Sequence, residues 1–429
     1  MLDRTQAPAV RPFGFHPLPA GETEHLKNGV TLHSLAGGNH GIGQVTVLFP
    51  GGRFDLENRV LSAVATSLYT EGAGSFSGAD IADILDFAGA RFAPHTSAHY
   101  TGFSAIVLGH RLPDILPVLE AMATAPHFAD SDIENIRRMM LSKLKVEETK
   151  VMYHASAALR RLIYGCGHPL ASTDKEAELE AVDRSALGDF QRRLVKPRGT
   201  HIYLSGGFGE SATDALKRFA AGMSALDPDA AAIERRSPLM APEAPQTVFK
   251  EMPDAVQTAV CAGMPAVGRR HPHFIPLRLA VMALGGYFGS RLMTNIREEK
   301  GLTYHIDAAL SAIDDASATV VQAQCNSETV EEVVGEIRKE MASLRDNPPS
   351  GAELDRLKLF ATSSLIETLD SPISISNYRQ LETVTGTPTD YFEAQQRAIA
   401  SLTPEIISEM ASLYLRPEEL RVSIAGPKV

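Results

Sequence analysis

The chain has 429 residues, a formal net charge of −11, 44% hydrophobic residues and 22% charged residues. That length allows two or three domains with sizeable cores, and the acidic balance argues against nucleic acid or an anionic membrane as the main partner. Cys166, Cys261 and Cys325 are widely spaced and odd in number, which suggests neither a disulfide framework nor a cysteine zinc site.

No apolar run reaches the ~20 residues needed to span a bilayer. The leading MLDRTQAPAVRPFG lacks the apolar core of a secretory signal. A reducing cytoplasm is the expected compartment.

Residues 1–22 are proline-rich and read as an extended arm. Val30 to Leu35 and Gln44 to Phe49 alternate like strands. Asn58 to Glu71 reads as a helix with Val60, Leu61, Val64 and Leu68 on one face. Gly78 to Gly89 is a second helix, Arg91 to Leu108 two strands, and Leu112 to Ala125 a further helix. Asp130 to Tyr164 reads as one long, mostly helical segment. A helix over Ala186 to Leu194 and a strand over Gly199 to Gly206 close this half. From about Gly209 to Pro245 alanine, proline and mixed charge take over, which reads as a helix plus a linker.

The same order of elements then returns. An offset of 220 residues takes Leu194-Val195-Lys196-Pro197 to Tyr414-Leu415-Arg416-Pro417, and Gly206 to Gly426. Leu187 falls on Ile407 and Phe190 on Met410, so the preceding helix keeps its apolar face. Further upstream, Ile133 and Ile136 match Leu354 and Leu357 with a slip of one. Such a duplication implies two similar α+β domains, each a mostly antiparallel sheet with helices on one face. The expected division is an arm over 1–22, a first domain over 23–210, a helix and linker over 211–245, and a second domain over 246–429.

The most informative stretch is Leu284 to Tyr304, LGGYFGSRLMTNIREEKGLTY. Gly285, Gly286 and Gly289 form a glycine-rich loop, and no G-K-[ST] comes after it to make it a phosphate loop. Ser290 is placed to cap a short helix. Leu292, Met293 and Ile296 recur at helical spacing, and Gly301 stands where a left-handed helix stop belongs. Arg297 then occupies the last turn and Tyr304 lies just past the corner. Taken singly, Arg297 also reads as a solvated helix-end cation and Tyr304 as a half-buried strand residue.

The whole stretch resembles the signature of the insulinase/pitrilysin family of zinc peptidases, which includes the mitochondrial processing peptidase. The matching residues are Ser290-Arg291-Leu292 and Arg297-Glu298-Glu299-Lys300-Gly301-Leu302-Thr303-Tyr304. The resemblance implies that Arg297 and Tyr304 hold substrate opposite a zinc, with Gly285, Gly286 and Gly289 in the loop beside it. The family's two-domain build matches the duplication, so the resemblance covers nearly the whole chain.

The family's catalytic halves also carry H-x-x-E-H, which binds zinc through two histidines one helical turn apart. Here Ala63 and Ser67 stand where those histidines belong and Thr66 where the glutamate belongs. Ala63 has no donor atom, and a neutral hydroxyl is a poor zinc ligand beside imidazole. The third ligand should fall near Leu141 to Glu148, where Lys143 or Leu144 occupies the register. His95 and His99 lie in a segment that reads as extended, ~13 Å apart at strand rise and too far to share a metal. His271 and His273 read as a solvated turn, and His168 lies in a Gly-His-Pro loop to which the resemblance assigns no role.

The resemblance therefore implies no metal in this chain and a zinc in a partner. The expected function is the non-catalytic, substrate-holding subunit of a heterodimeric zinc endopeptidase. Its partner would be an H-x-x-E-H homologue whose zinc-bound water attacks a peptide carbonyl. Arg297 and Tyr304 would donate hydrogen bonds to substrate and to the developing oxyanion. The substrate would be an unfolded peptide able to add a strand to a sheet edge, with Arg91 to Thr101 as one such edge. The alternative is an inactive peptide-binding or structural homologue that pairs with itself.

Overall fold

A computed structural model describes residues 14–38, 41–172, 175–313 and 315–428. Its framework is two sheets of nearly equivalent topology. The first half contributes β1 (Glu22–His25), β2 (Thr31–Ala36), β3 (Ile42–Pro50), a small hairpin of β4 (Gly72–Ala73) and β5 (Phe76–Ser77), β6 (Arg91–Thr96), β7 (Tyr100–Leu108) and β8 (His201–Gly206). The second contributes β9 (Thr247–Glu251), β10 (Thr258–Ala266), β11 (Thr303–Ile313), β12 (Ala316–Cys325) and β13 (Arg421–Gly426). The large sheets run β1-β2-β8-β3-β7-β6 and β11-β12-β10-β13-β9. Each holds one parallel pair, β2 with β8 and β9 with β13, and every other pair within them is antiparallel. Strand for strand they correspond, with β1 as an extra edge on the first.

Each sheet packs one face on its own helices. Val45, Val47 and Phe49 of β3 join Phe103, Ala105 and Val107 of β7 against Leu61, Val64 and Leu68. Val260, Ala262 and Met264 of β10 do the same against Leu277, Ala280 and Leu284. A half-buried strand alternates, yet Gly43 to Phe49 and Thr258 to Met264 are buried at every position. Something covers the second face.

That cover comes from the opposite half. The helix Val151–Tyr164 lies on β10 and β13, and the helix Pro372–Thr385 lies on β8 and β2. An offset of 221 residues takes Val151 to Pro372 and Tyr164 to Thr385, so the exchanged helices are themselves equivalent. Ala259, Cys261, Ala316, Ala318 and Ala425 present small side chains that let Ala155, Leu159 and Ile163 pack close. The second exchange is more polar, with the Tyr203 hydroxyl donating to Thr383 Oγ1 at 2.6 Å and Gln44 Nε2 to Asn377 Oδ1 at 3.2 Å.

This exchange explains a departure from the sequence reading. The single segment expected over Asp130 to Tyr164 is two helices, Asp130–Glu148 and Val151–Tyr164. Lys150 is extended between them, at φ −91° and ψ 129°, because the chain leaves the first core there. The helix expected over Asn58 to Glu71 is also shorter, Leu61–Ser67, and ends in turns before Gly72. The helix Glu210–Gly222 sends Ala212, Leu216 and Ala220 into the first core. From the arm, Leu18 is buried in the second.

Leu159 is 2% exposed and lies wholly in the exchange. Leu159→Ala is expected to cost about 2–5 kcal/mol, through lost burial and the cavity left behind. Val256, 93% exposed, should tolerate alanine within about 0.5 kcal/mol. Urea unfolding of both variants checks this.

Candidate functional site

The glycine-rich loop begins at the end of the helix Phe274–Gly285, where that helix meets β11. A Cβ on Gly285 would stand 2.6 Å from Ala308 Cβ, so only hydrogen fits. A Cβ on Gly286 would sit 2.7 Å from Met282 Cα, and one on Gly289 would sit 3.0 Å from the Tyr287 ring. The loop pushes Phe288 into solvent, 63% exposed.

Ser290 does not act as a side-chain cap: its hydroxyl is buried without a hydrogen-bond partner. Backbone bonds make the turn, Ser290 N to Tyr287 O at 3.0 Å and Thr294 N to Ser290 O at 2.9 Å. Residues Met293–Glu299 then form a π-helical turn rather than the expected α-helix. Lys300 N reaches Asn295 O at 3.1 Å, one residue wider than an α-helical bond, and Leu302 N closes the end on Ile296 O at 2.9 Å. Gly301 ends it at φ +63°.

Buried Leu292, Met293 and Ile296 hold the inner side of this turn. Ties to the helix Val330–Asp346 hold the outer side. Asn295 Nδ2 donates to Glu336 at 2.8 Å and Glu340 at 2.6 Å, and Lys300 Nζ lies 2.6 Å from Glu336. Lys300, and after it Asn295, hold the Glu336 carboxyl down at about 2.

Two arginines of the stretch have opposite surroundings. Arg291 grips both Glu353 oxygens, at 2.9 and 3.2 Å, and donates to Asn347 O at 2.7 Å. Arg297 has no ion pair among the described residues; its guanidinium carbon lies 5.1 Å from the centre of the Phe288 ring and 5.5 Å from that of Tyr304. The two rings hold a half-exposed cation by cation–π attraction. Phe288 went unrecognised in the sequence; an aromatic inside a glycine-rich loop was the available signal.

Tyr304 reaches the surface because β11 bulges. Its pairing with β12 shifts register between Thr303 and Ile306. Thr303 Oγ1 donates to Gln324 O at 2.6 Å and accepts from His305 N at 3.2 Å. With the extra residue, Tyr304 and His305 both point outward, and Tyr304 is 86% exposed. Beside it lies a cavity of about 450 Å³, walled by Met152, Gln257, His305, Asp307 and Gln322. Asp307 and Gln322 also line a second space of about 250 Å³ with Ser156, Arg160 and Tyr164. Burial raises the Asp307 carboxyl above its usual range, while His305, 3.3 Å away, pulls it back down.

Ala63 and Ser67 lie half-exposed along one side of the helix Leu61–Ser67, and Thr66 is buried. The Thr66 hydroxyl donates to Ser62 O at 2.9 Å. Near the expected third ligand, Leu144 is buried and Glu147 is paired with Lys150 at 2.6 Å. Among the described residues no three of His, Cys, Asp and Glu are grouped to hold a metal. This donor set does not fit zinc.

The histidines are dispersed. His95 lies in β6, whereas His99 is buried in the turn beyond it with Nδ1 2.8 Å from Asp55. His168 is buried and stacks on Tyr164. His273 is less solvated than expected, its Nδ1 2.9 Å from the Tyr414 hydroxyl.

The family model of the peptidase M16 inactive domain matches residues 181–359. The uncharacterized zinc protease YmxG of Bacillus subtilis is 22% identical over 307 residues, 71% of this chain and 73% of that protein. The non-peptidase homolog YmxG of Helicobacter pylori is 21% identical over 389 residues, 88% of this chain and 87% of its own. A peptidase M16 inactive domain structure from Pseudomonas fluorescens superposes with a TM-score of 0.84 at 22% identity, covering 95% of this chain and 98% of that one. The chain thus shares its two-sheet fold with M16-type structures. Residues 181–359 are the part similar to the inactive-type domain.

The isolated chain is expected to retain far less than one zinc per chain after dialysis, checked by elemental analysis; one tightly held zinc would contradict the donor set. A second expectation concerns pH. Glu336 titrates near 2 when folded and near ~4.3 unfolded, so its stabilisation is present above the unfolded value and is lost as pH falls through about 2. Melting temperatures measured between pH 6 and 2 (roughly the span of that linkage) should fall less steeply for Lys300→Met, which removes the main cause.

Proposed function

We propose that this chain is the non-catalytic, substrate-holding subunit of a heterodimeric zinc endopeptidase acting on unfolded peptides. The observation that carries the reading is the Arg297–Tyr304 corner. A guanidinium without an ion pair among the described residues and an 86% exposed phenol stand together beside a groove, although neither contributes to a core. Arg297 and Tyr304 donate hydrogen bonds to the bound peptide and to charge developing on its carbonyl oxygen. Gly285, Gly286 and Gly289 shape the loop next to it, and the H-x-x-E-H homologue supplies the metal chemistry absent at Ala63, Thr66 and Ser67.

The same proposal takes 23–210 and 246–429 as the functional halves, joined by 211–245 behind an arm over 1–22. Cys166, Cys261 and Cys325 are free thiols, which supports a reducing compartment, the cytoplasm. No helix among the described residues is long and apolar enough to cross a membrane.

The test is hydrolysis of an unstructured peptide by the chain mixed with a zinc-bearing homologue. Activity is expected only in the mixture. Arg297→Ala and Tyr304→Phe should each lower turnover by ~10²–10³, with melting temperatures close to wild type because both side chains lie outside the cores. Near-wild-type turnover for both in an assembled, zinc-loaded complex, or assembly only with itself, would favour the peptide-binding homodimer.

A further inference from the structure

A further cavity, of about 400 Å³, lies between β11 and the helices of the second half, with none of the residues that line the groove beside Tyr304. Its polar lining is Arg278, Ser364, Thr368, Tyr378 and Gln395. Arg278 projects from the helix Phe274–Gly285, and its Nε is fully buried without a hydrogen-bond partner among the described residues. Burial lowers its affinity for the proton, and the charges and phenols acting on it belong to Tyr391, Tyr378 and a second cation, Arg269. No carboxylate is among them. In a chain with a net charge of −11, this is a cationic spot without a counter-charge among the described residues.

A buried ion is normally paired, because leaving it unpaired is costly. Around Arg278 the groups able to help are neutral: the hydroxyls of Ser364, Thr368 and Tyr378 and the amide of Gln395, whose Nε2 bonds the Tyr378 hydroxyl while its Oε1 is buried and unpartnered. The remaining walls are apolar, including Val281, Met282 and Leu365. A planar guanidinium suits a carboxylate, which it can grip through two parallel hydrogen bonds. The apolar walls suit a short hydrocarbon body, which a hydrated phosphate lacks.

We propose that this cavity binds a small aliphatic monocarboxylate, with Arg278 holding the carboxylate and the apolar walls enclosing the chain. The site is independent of the Arg297–Tyr304 reading. It is tested by titrating the full chain at neutral pH with hexanoate, using calorimetry and thermal melting, alongside hexanol and inorganic phosphate. Hexanoate is expected to bind saturably, one per chain, and to raise the melting temperature. Hexanol and phosphate are expected to bind at least ~10-fold more weakly, each lacking one of the two contacts. Arg278→Met should weaken hexanoate by ~10-fold or more without lowering the melting temperature of the unliganded chain, since it removes an unpaired cation. The proposal is overturned by non-saturable hexanoate binding, by phosphate or hexanol binding as tightly as hexanoate, or by unchanged affinity in Arg278→Met. If that variant fails to fold, the three wild-type titrations decide.

Discussion

Everything in this fold depends on two helices that leave their own half to cover the other's sheet. Strands β3 and β10 are apolar or uncharged on both faces, so a half isolated from its sibling would expose one whole face of its central strands. Val151–Tyr164 and Pro372–Thr385 remove that exposure. The exchange is reciprocal but not symmetric in chemistry. An alanine-lined face receives Leu159 and Ile163, whereas the other joint relies on hydroxyl and amide bonds to Thr383 and Asn377. The first is a dry contact whose strength scales with buried area, and the second gains register from directional bonds.

The same exchange builds the groove beside Tyr304. Met152, Ser156 and Arg160 recur every fourth residue along one side of the first-half helix, and all three line the spaces that Asp307 and Gln322 border from the second half. The signature residues come from one half only, but the wall opposite them comes from the other. A change in how the helix Val151–Tyr164 seats on its sheet therefore alters the groove without touching Arg297 or Tyr304.

Much of the framework was legible in the sequence because it rests on local rules and a repeat. The offset linking Gly206 to Gly426 matches two strands that occupy corresponding places in their sheets. Gly301 was legible because only glycine takes φ +63° without strain. What escaped was set by tertiary contacts. Lys150 breaks a helix although lysine is a good helix former, since the chain must cross between halves there. Ser290 looks like a cap, but backbone bonds and ties from Glu336 and Glu340 make a π turn instead. Met152 and Arg160 could not be placed beside the groove from sequence, because their positions depend on which surfaces meet.

Arg291 and Arg297, six positions apart on one short turn, separate what the fold needs from what it does not. Arg291 satisfies a carboxylate and a helix-end carbonyl at once, and removing it would leave Glu353 and Asn347 O without that partner. Arg297 satisfies nothing of the kind among the described residues: its ring contacts are Phe288 and Tyr304, themselves 63% and 86% exposed. Attraction between an exposed cation and an aromatic ring is worth ~0.5–1 kcal/mol, too little to require a side chain that must also surrender rotamer freedom to keep that pose. The bulge that turns Tyr304 outward likewise gives up regular pairing in β11 for no gain in burial. Two local costs at one corner, neither offset among the described residues, support the proposal that this surface is shaped for a bound peptide.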